Sequence, residues 1–91
     1  MVIIQGRPGR TKGTPLGGDK FKQELYMNRA EMAEMMRGLA NEFEGGGRVE
    51  ASYGGWTLGM TPNEPMMAEV RFDPEPGRRE FEIRLTLKEF P

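Results

Sequence analysis

The chain reads as an α+β domain of two layers. One amphipathic helix packs on a mostly antiparallel sheet, in the order β-α-β-β-β-β. Three observations predict this. A helix is marked at both ends over residues 28–47, a glycine pair divides two alternating segments over residues 48–60, and residues 80–90 alternate apolar and polar.

The first strand is predicted at Phe21-Lys22-Gln23-Glu24-Leu25-Tyr26, with Met27 placed to staple onto Met32 across the helix start. Asn28-Arg29-Ala30-Glu31 then forms a capping box, in which the Asn oxygen takes the amide of Glu31 and the Glu31 carboxylate reaches back. Met32, Met36, Leu39 and Phe43 recur at helical spacing, flanked by Ala33, Met35 and Ala40, and supply the stripe expected to face the sheet. Gly45-Gly46-Gly47 closes the helix, because glycine enters the left-handed cap conformation without strain.

Arg48 to Tyr53 and Trp56 to Met60 flank Gly54-Gly55, a strong hairpin signal in which both glycines are expected at positive φ. A two-residue loop sets Tyr53 opposite Trp56, Ala51 opposite Leu58 and Val49 opposite Met60. Pro62 and Pro65 make the next segment a connection, since proline has no ladder donor. Met66 to Phe72 is the fourth strand, with Ala68, Val70 and Phe72 on one face. The last strand, Glu80 to Phe90, sets Phe81, Ile83, Leu85 and Leu87 against Glu80, Glu82, Arg84, Thr86 and Lys88. Glu69, Glu80 and Glu82 share the polar face with Arg71, Arg84 and Lys88, so cross-strand ion pairs are expected there.

Residues 1–19 are expected to form a mobile, basic, Gly/Pro-rich arm, and residues 20–91 a single α+β domain. Residues 5–19 hold five glycines, two prolines and Leu16 as the one large aliphatic, too little to offset chain entropy. Residues 1–22 carry five basic side chains against Asp19 alone, a balance of +4, which leaves −5 on the remainder of a chain whose net charge is −1.

Composition narrows function by exclusion. There is no Cys and no His, so disulfides, thiolate nucleophiles, zinc-thiolate sites and the commonest general base are absent. Ser52 is the only serine, inside a predicted strand. No cofactor, metal site or enzyme activity is expected. No apolar run approaches the roughly 20 residues that span a bilayer, and a cytoplasmic address is expected. The glycine-rich arm is no phosphate loop, because Lys12 precedes Gly13 and no strand and helix flank it in order.

From Phe21 to Phe90 the residues resemble the amphi-Trp domain, a short prokaryotic domain whose function is not established. The resemblance rests on Met27-Asn28-Arg29-Ala30-Glu31-Met32-Ala33, on Met36-Arg37-Gly38-Leu39-Ala40 and Glu44-Gly45, and on Phe81-Glu82-Ile83 where members have Leu-Glu-Ile. Members end the final strand in Trp. Here it closes Lys88-Glu89-Phe90, and the only Trp is Trp56. The resemblance implies this fold and no activity.

These exclusions point to a small non-enzymatic interaction module, binding a protein partner or a second copy as a homodimer. Four candidate partner-binding residues stand out. Met35 lies at the stripe's edge in a methionine-rich chain, and its other reading is core filling. Gly38 sits mid-helix, at the border of the exposed face, where Gly costs about 1 kcal/mol against Ala. Either it is drift or another backbone approaches there. Tyr53 and Trp56 flank the glycine turn, as an exposed anchoring pair or as a cross-strand pair packed beneath the helix. The alternative function is nucleic-acid binding by residues 1–22, in which Arg7, Arg10 and Lys12 contact phosphates. The competing reading of those three is a solubilising tail.

Overall fold

The computed structural model describes every residue except Leu16, Gly17 and Asp19, so those parts of the expected arm lie outside the described residues. Among the described residues are one helix and seven strands, in two compact units, Met1–Met60 and Thr61–Pro91. The α+β class and the order β-α-β-β-β-β hold from residue 22 onward.

In the Met1–Met60 unit the strands are β1 (Val2–Ile3), β2 (Arg7–Lys12), β3 (Lys22–Tyr26), β4 (Val49–Tyr53) and β5 (Trp56–Met60), with α1 (Arg29–Gly45) after β3. β4 and β5 pair antiparallel, with Tyr53 opposite Trp56, Ala51 opposite Leu58 and Val49 opposite Met60, the register the two-residue loop predicts. Only one of the two turn glycines, Gly54, takes a positive φ, at 53°. β1 adds to the other edge of β4 in parallel, Val2 beside Ala51 and Ile3 beside Ser52.

The described residues of the Gly/Pro-rich basic arm thus include two strands. β2 pairs antiparallel with β3 in a separate two-stranded sheet, irregular between Pro8 and Thr11. Arg7–Lys12 has no apolar alternation, so its strand character comes from the backbone ladder and not from a buried face. One of its glycines serves close approach: a methyl at Gly9 would stand 2.7 Å from the Tyr26 ring.

α1 starts and stops as its caps predict. The Glu31 N–H donates to Asn28 Oδ1 at 2.8 Å, and the Asn28 N–H donates to Glu31 Oε1 at 2.9 Å. Gly46 caps the C-terminus at φ 70°, its N–H donating to the Phe43 carbonyl at 3.2 Å. The helix packs on β1 and β4, but not with the full stripe the spacing suggests. Met32 and Met36 are 44% and 55% exposed, whereas Met35, Gly38, Leu39, Glu42 and Phe43 are half-buried. Gly38 accounts for the difference. An added methyl there would meet Val2 Cγ1 at 3.1 Å, so the missing side chain lets Val2 seat on the helix. Val2, 3% exposed, is the one buried apolar residue among those described.

The Thr61–Pro91 unit is the hairpin of β6 (Met67–Asp73) and β7 (Glu80–Thr86). β7 stops at Thr86, short of the predicted Phe90, yet the two ends of the unit stay joined beyond it. The Asn63 N–H donates to the Lys88 carbonyl at 2.8 Å and the Phe90 N–H to Asn63 Oδ1 at 2.6 Å. The Thr61 N–H donates to a Glu89 carboxylate oxygen at 2.8 Å. A proline-containing link thus gains partners without entering the ladder.

Candidate functional site

Side chains alternate along both strands of the β6–β7 hairpin, so its register decides what each face presents. Ala68 lies opposite Leu85, Val70 opposite Ile83 and Phe72 opposite Phe81, all on one side. Glu69 opposite Arg84, Arg71 opposite Glu82 and Asp73 opposite Glu80 occupy the other. Within the hairpin itself nothing covers the apolar side: Val70 is 64% and Phe81 67% exposed, and Phe72, Ile83 and Leu85 are all more than half exposed. The Phe72 and Phe81 rings meet edge to face at 6.4 Å, the one aromatic contact on that face. On the polar side the ion pairs join near neighbours in sequence rather than residues across the ladder, Arg78 before β7 to Glu80 at 2.7 Å and Arg84 to Glu82 within it at 3.7 Å. These groups are exposed and contribute little stability.

The four candidate partner residues all lie in the other unit, engaged with their own chain. Tyr53 and Trp56 are half-buried and form a cluster with Phe21, whose ring meets Trp56 edge to face at 5.4 Å, while Tyr53 lies 6.1 Å from Trp56. The Tyr53 hydroxyl donates to the Gly6 carbonyl at 3.1 Å, tying β4 to the link between β1 and β2. Met35 is half-buried, and Gly38 receives Val2.

The basic residues divide. The Arg7 guanidinium pairs with the Glu31 carboxylate, which also completes the helix cap. Those two bonds, first the Asn28 backbone N–H and then Arg7, hold the Glu31 carboxyl below the usual glutamate range. Glu42 is lowered in the same direction by the Glu50 backbone N–H at 2.9 Å and by the Met1 amine at 3.1 Å. Two glutamates on one flank of α1 thus fasten strand segments on either side of the Val2 contact. Arg10 and Lys12 remain on the exposed β2–β3 hairpin, where Lys12 lies directly opposite Lys22. With Thr11 and Glu24 they line an open depression.

A family model described as the Amphi-Trp domain matches residues 18–89. The chain belongs to that family. No curated protein and no solved structure matches it. The Amphi-Trp match begins after β1 and β2, so Val2, which fills the space above Gly38, lies outside the matched segment. The apolar face of the hairpin lies wholly inside it.

Among the described residues no three His, Cys, Asp or Glu side chains group as they would to hold a metal ion. No described helix is long and apolar enough to cross a membrane. The sequence pattern puts Ala68, Val70 and Phe72 on one face of their strand and Phe81, Ile83 and Leu85 on one face of theirs, and the register sets the two faces on the same side. Alternation of both strands in one register gathers these apolar groups on one side of the hairpin.

Proposed function

We propose that this Amphi-Trp domain is a small non-enzymatic interaction module that binds protein through the apolar face of its β6–β7 hairpin. One observation carries the reading: five large apolar side chains, each more than half exposed, on one side of a two-stranded ribbon. A lone two-stranded hairpin is marginal in water and gains stability when its apolar side is packed. The chemistry of the chain supports the non-enzymatic half. His and Cys are absent from the sequence, and the Ser52 hydroxyl donates to the Trp56 carbonyl at 3.2 Å within the β4–β5 hairpin.

The test uses an environment-sensitive hydrophobic dye with the full chain, at concentrations where light scattering gives a monomer mass. The intact chain should bind dye, and a Phe72→Ser/Phe81→Ser variant should lose most of the signal. A monomer that leaves the dye unbound overturns the proposal.

A second reading is polyanion binding, nucleic acid included, by the β2–β3 hairpin. It is favoured by Lys12 and Lys22 standing directly opposite one another with Arg10 on the same open depression. Like charges opposed across a ladder repel, and an anion between them relieves that repulsion. Deleting residues 1–18 is a poor test, since it also removes Val2 from the helix. Charge reversal is the cleaner one: Lys12→Glu/Lys22→Glu should abolish salt-dependent association with a mixed-sequence oligonucleotide. Association that survives the reversal dismisses this reading.

A further inference from the structure

We infer that the cleft between α1 and β4 is an acceptor site for an extended peptide, and that Val2–Ile3 is its resident occupant in cis. The peptide it takes pairs in parallel with Ala51–Ser52 and places a β-branched side chain of valine size on Gly38. Val2–Ile3 competes with such a peptide for the cleft. This goes beyond the hairpin reading above and does not depend on it.

The seated segment defines the ligand. Val2 is 3% exposed, and its Cγ1 lies 3.1 Å from where a methyl at Gly38 would stand, so the cleft has a socket for one branched side chain. Ile3 beside it is 70% exposed, which leaves the side-chain fit to Val2. The Ile4 N–H donates to the Ser52 carbonyl at 2.8 Å and carries the pairing one residue past β1. Backbone bonds of this kind accept any extended chain, and the socket adds a choice of side chain.

The occupant is lightly held. β1 is two residues long and, among the described elements, packs only on α1 and β4. Its pairing is parallel, the weaker kind per residue. The next strand, β2, belongs to another sheet and is held there by β3, so β1 can leave while β2 stays. The Tyr53 hydroxyl holds the Gly6 carbonyl, which marks where the released piece ends, and Gly6 at φ 133° adopts a backbone that favours glycine. An empty cleft is the costly state, whereas exchange of one strand for another keeps the buried contact. The family boundary falls in the same place. The matched segment, residues 18–89, contains α1, Gly38 and β4 but not β1, so the acceptor belongs to the Amphi-Trp domain and its occupant lies outside it.

The probe is the hexapeptide of residues 1–6, added in trans to the full chain. Amide resonances of Gly38, Ala51 and Ser52 report its entry. The unsubstituted chain is compared with Val2→Ala, which weakens the cis occupant without burying a charge. A hexapeptide with aspartate in place of its valine is the control, and Val2→Ala/Gly38→Ala tests the socket. Helical circular dichroism follows α1 in every sample.

The three resonances should shift and saturate at a roughly tenfold lower hexapeptide concentration in Val2→Ala than in the unsubstituted chain, since a weaker occupant leaves the cleft open more often. The aspartate peptide should shift none of them, and Val2→Ala/Gly38→Ala should need several-fold more hexapeptide than Val2→Ala. If Val2→Ala has lost its helical signal, the hexapeptide should restore it and the aspartate peptide should not. Equal saturation in the unsubstituted chain and Val2→Ala would overturn the competition with β1. Equal shifts from the aspartate peptide would overturn the valine socket. No shift in a helical Val2→Ala chain, or no recovery of helix in an unfolded one, overturns the acceptor site itself.

Discussion

The Met1–Met60 unit and the Thr61–Pro91 hairpin dispose of their apolar side chains in opposite ways. The first makes individual fits. Val2 seats on Gly38, the Tyr26 ring crosses Gly9, Phe21 meets Trp56 edge to face, and Glu31 and Glu42 fasten neighbouring strands. The second aligns its apolar groups in two parallel rows and encloses none of them. Fits of the first kind hold a fold in one arrangement, because each depends on the shape of one neighbour. A uniform face holds no arrangement by itself and is suited to receiving something else. The first unit encloses side chains of its own, and the second, taken by itself, encloses none.

The sharpest way to break this contrast is a charge at the first unit's buried point. Val2→Asp should cost several kcal/mol, the scale for burying an unpaired charge, and abolish most helical circular dichroism at room temperature. An unchanged spectrum would mean that Val2 is not what holds α1 to the strands. A milder change measures the fit itself. Gly38→Ala should fail to deliver the ~1 kcal/mol gain that helix propensity promises, because the new methyl crowds Val2. Combined with Val2→Ala, the same substitution should recover about that amount, a coupling that chemical denaturation in a double-mutant cycle reads directly.

Tyr53→Phe tests the link to Gly6. Loss of one half-buried hydrogen bond should destabilise the unit by about 1 kcal/mol, with a shift in Trp56 fluorescence as the aromatic cluster relaxes. The polar side of the hairpin should respond least. Arg84→Gln should change stability by less than about 0.5 kcal/mol, since its pairing is exposed and long.

Acid provides a graded test of the two glutamates. Both folded-state carboxyls are held below their unfolded values, so their contribution is complete above the ordinary glutamate range. It is lost as pH falls through the depressed values, because the unfolded chain then binds more protons. Thermal melting should therefore drop with acidification in that window, and less steeply in a Glu31→Gln/Glu42→Gln variant. An equal slope in both proteins would show that these carboxylates do not couple to folding.

How much of the fold is legible in the residues depends on how local each instruction is. The helix caps at Asn28 and Gly46 and the register about Gly54-Gly55 depend on a few neighbouring residues, and the structure has them as the spacing predicts. The two strands of the terminal hairpin are legible for the same reason. β2 is not, because nothing in Arg7–Lys12 alternates and because glycines that make room for neighbours look the same in sequence as glycines that loosen a chain. The rotation of α1 is likewise hidden. Its methionines fit more than one stripe, and Val2, distant in sequence, decides which flank is covered. The candidate surface is obscured at one step only. Alternation tells which side chains share a face, but not that the face lies open.

The parallel pairing of Val2–Ile3 with Ala51–Ser52 has a consequence for how the molecule assembles. A ribosome delivers the amino end first, yet that strand has nothing to join until the stretch near residue 51 has emerged. Of this unit's strands, the one made first is therefore the last to be seated, across the widest loop the unit has to close. Until that closure α1 waits without its cover, and a nascent chain paused before residue 49 should hold a frayed helix rather than a finished one.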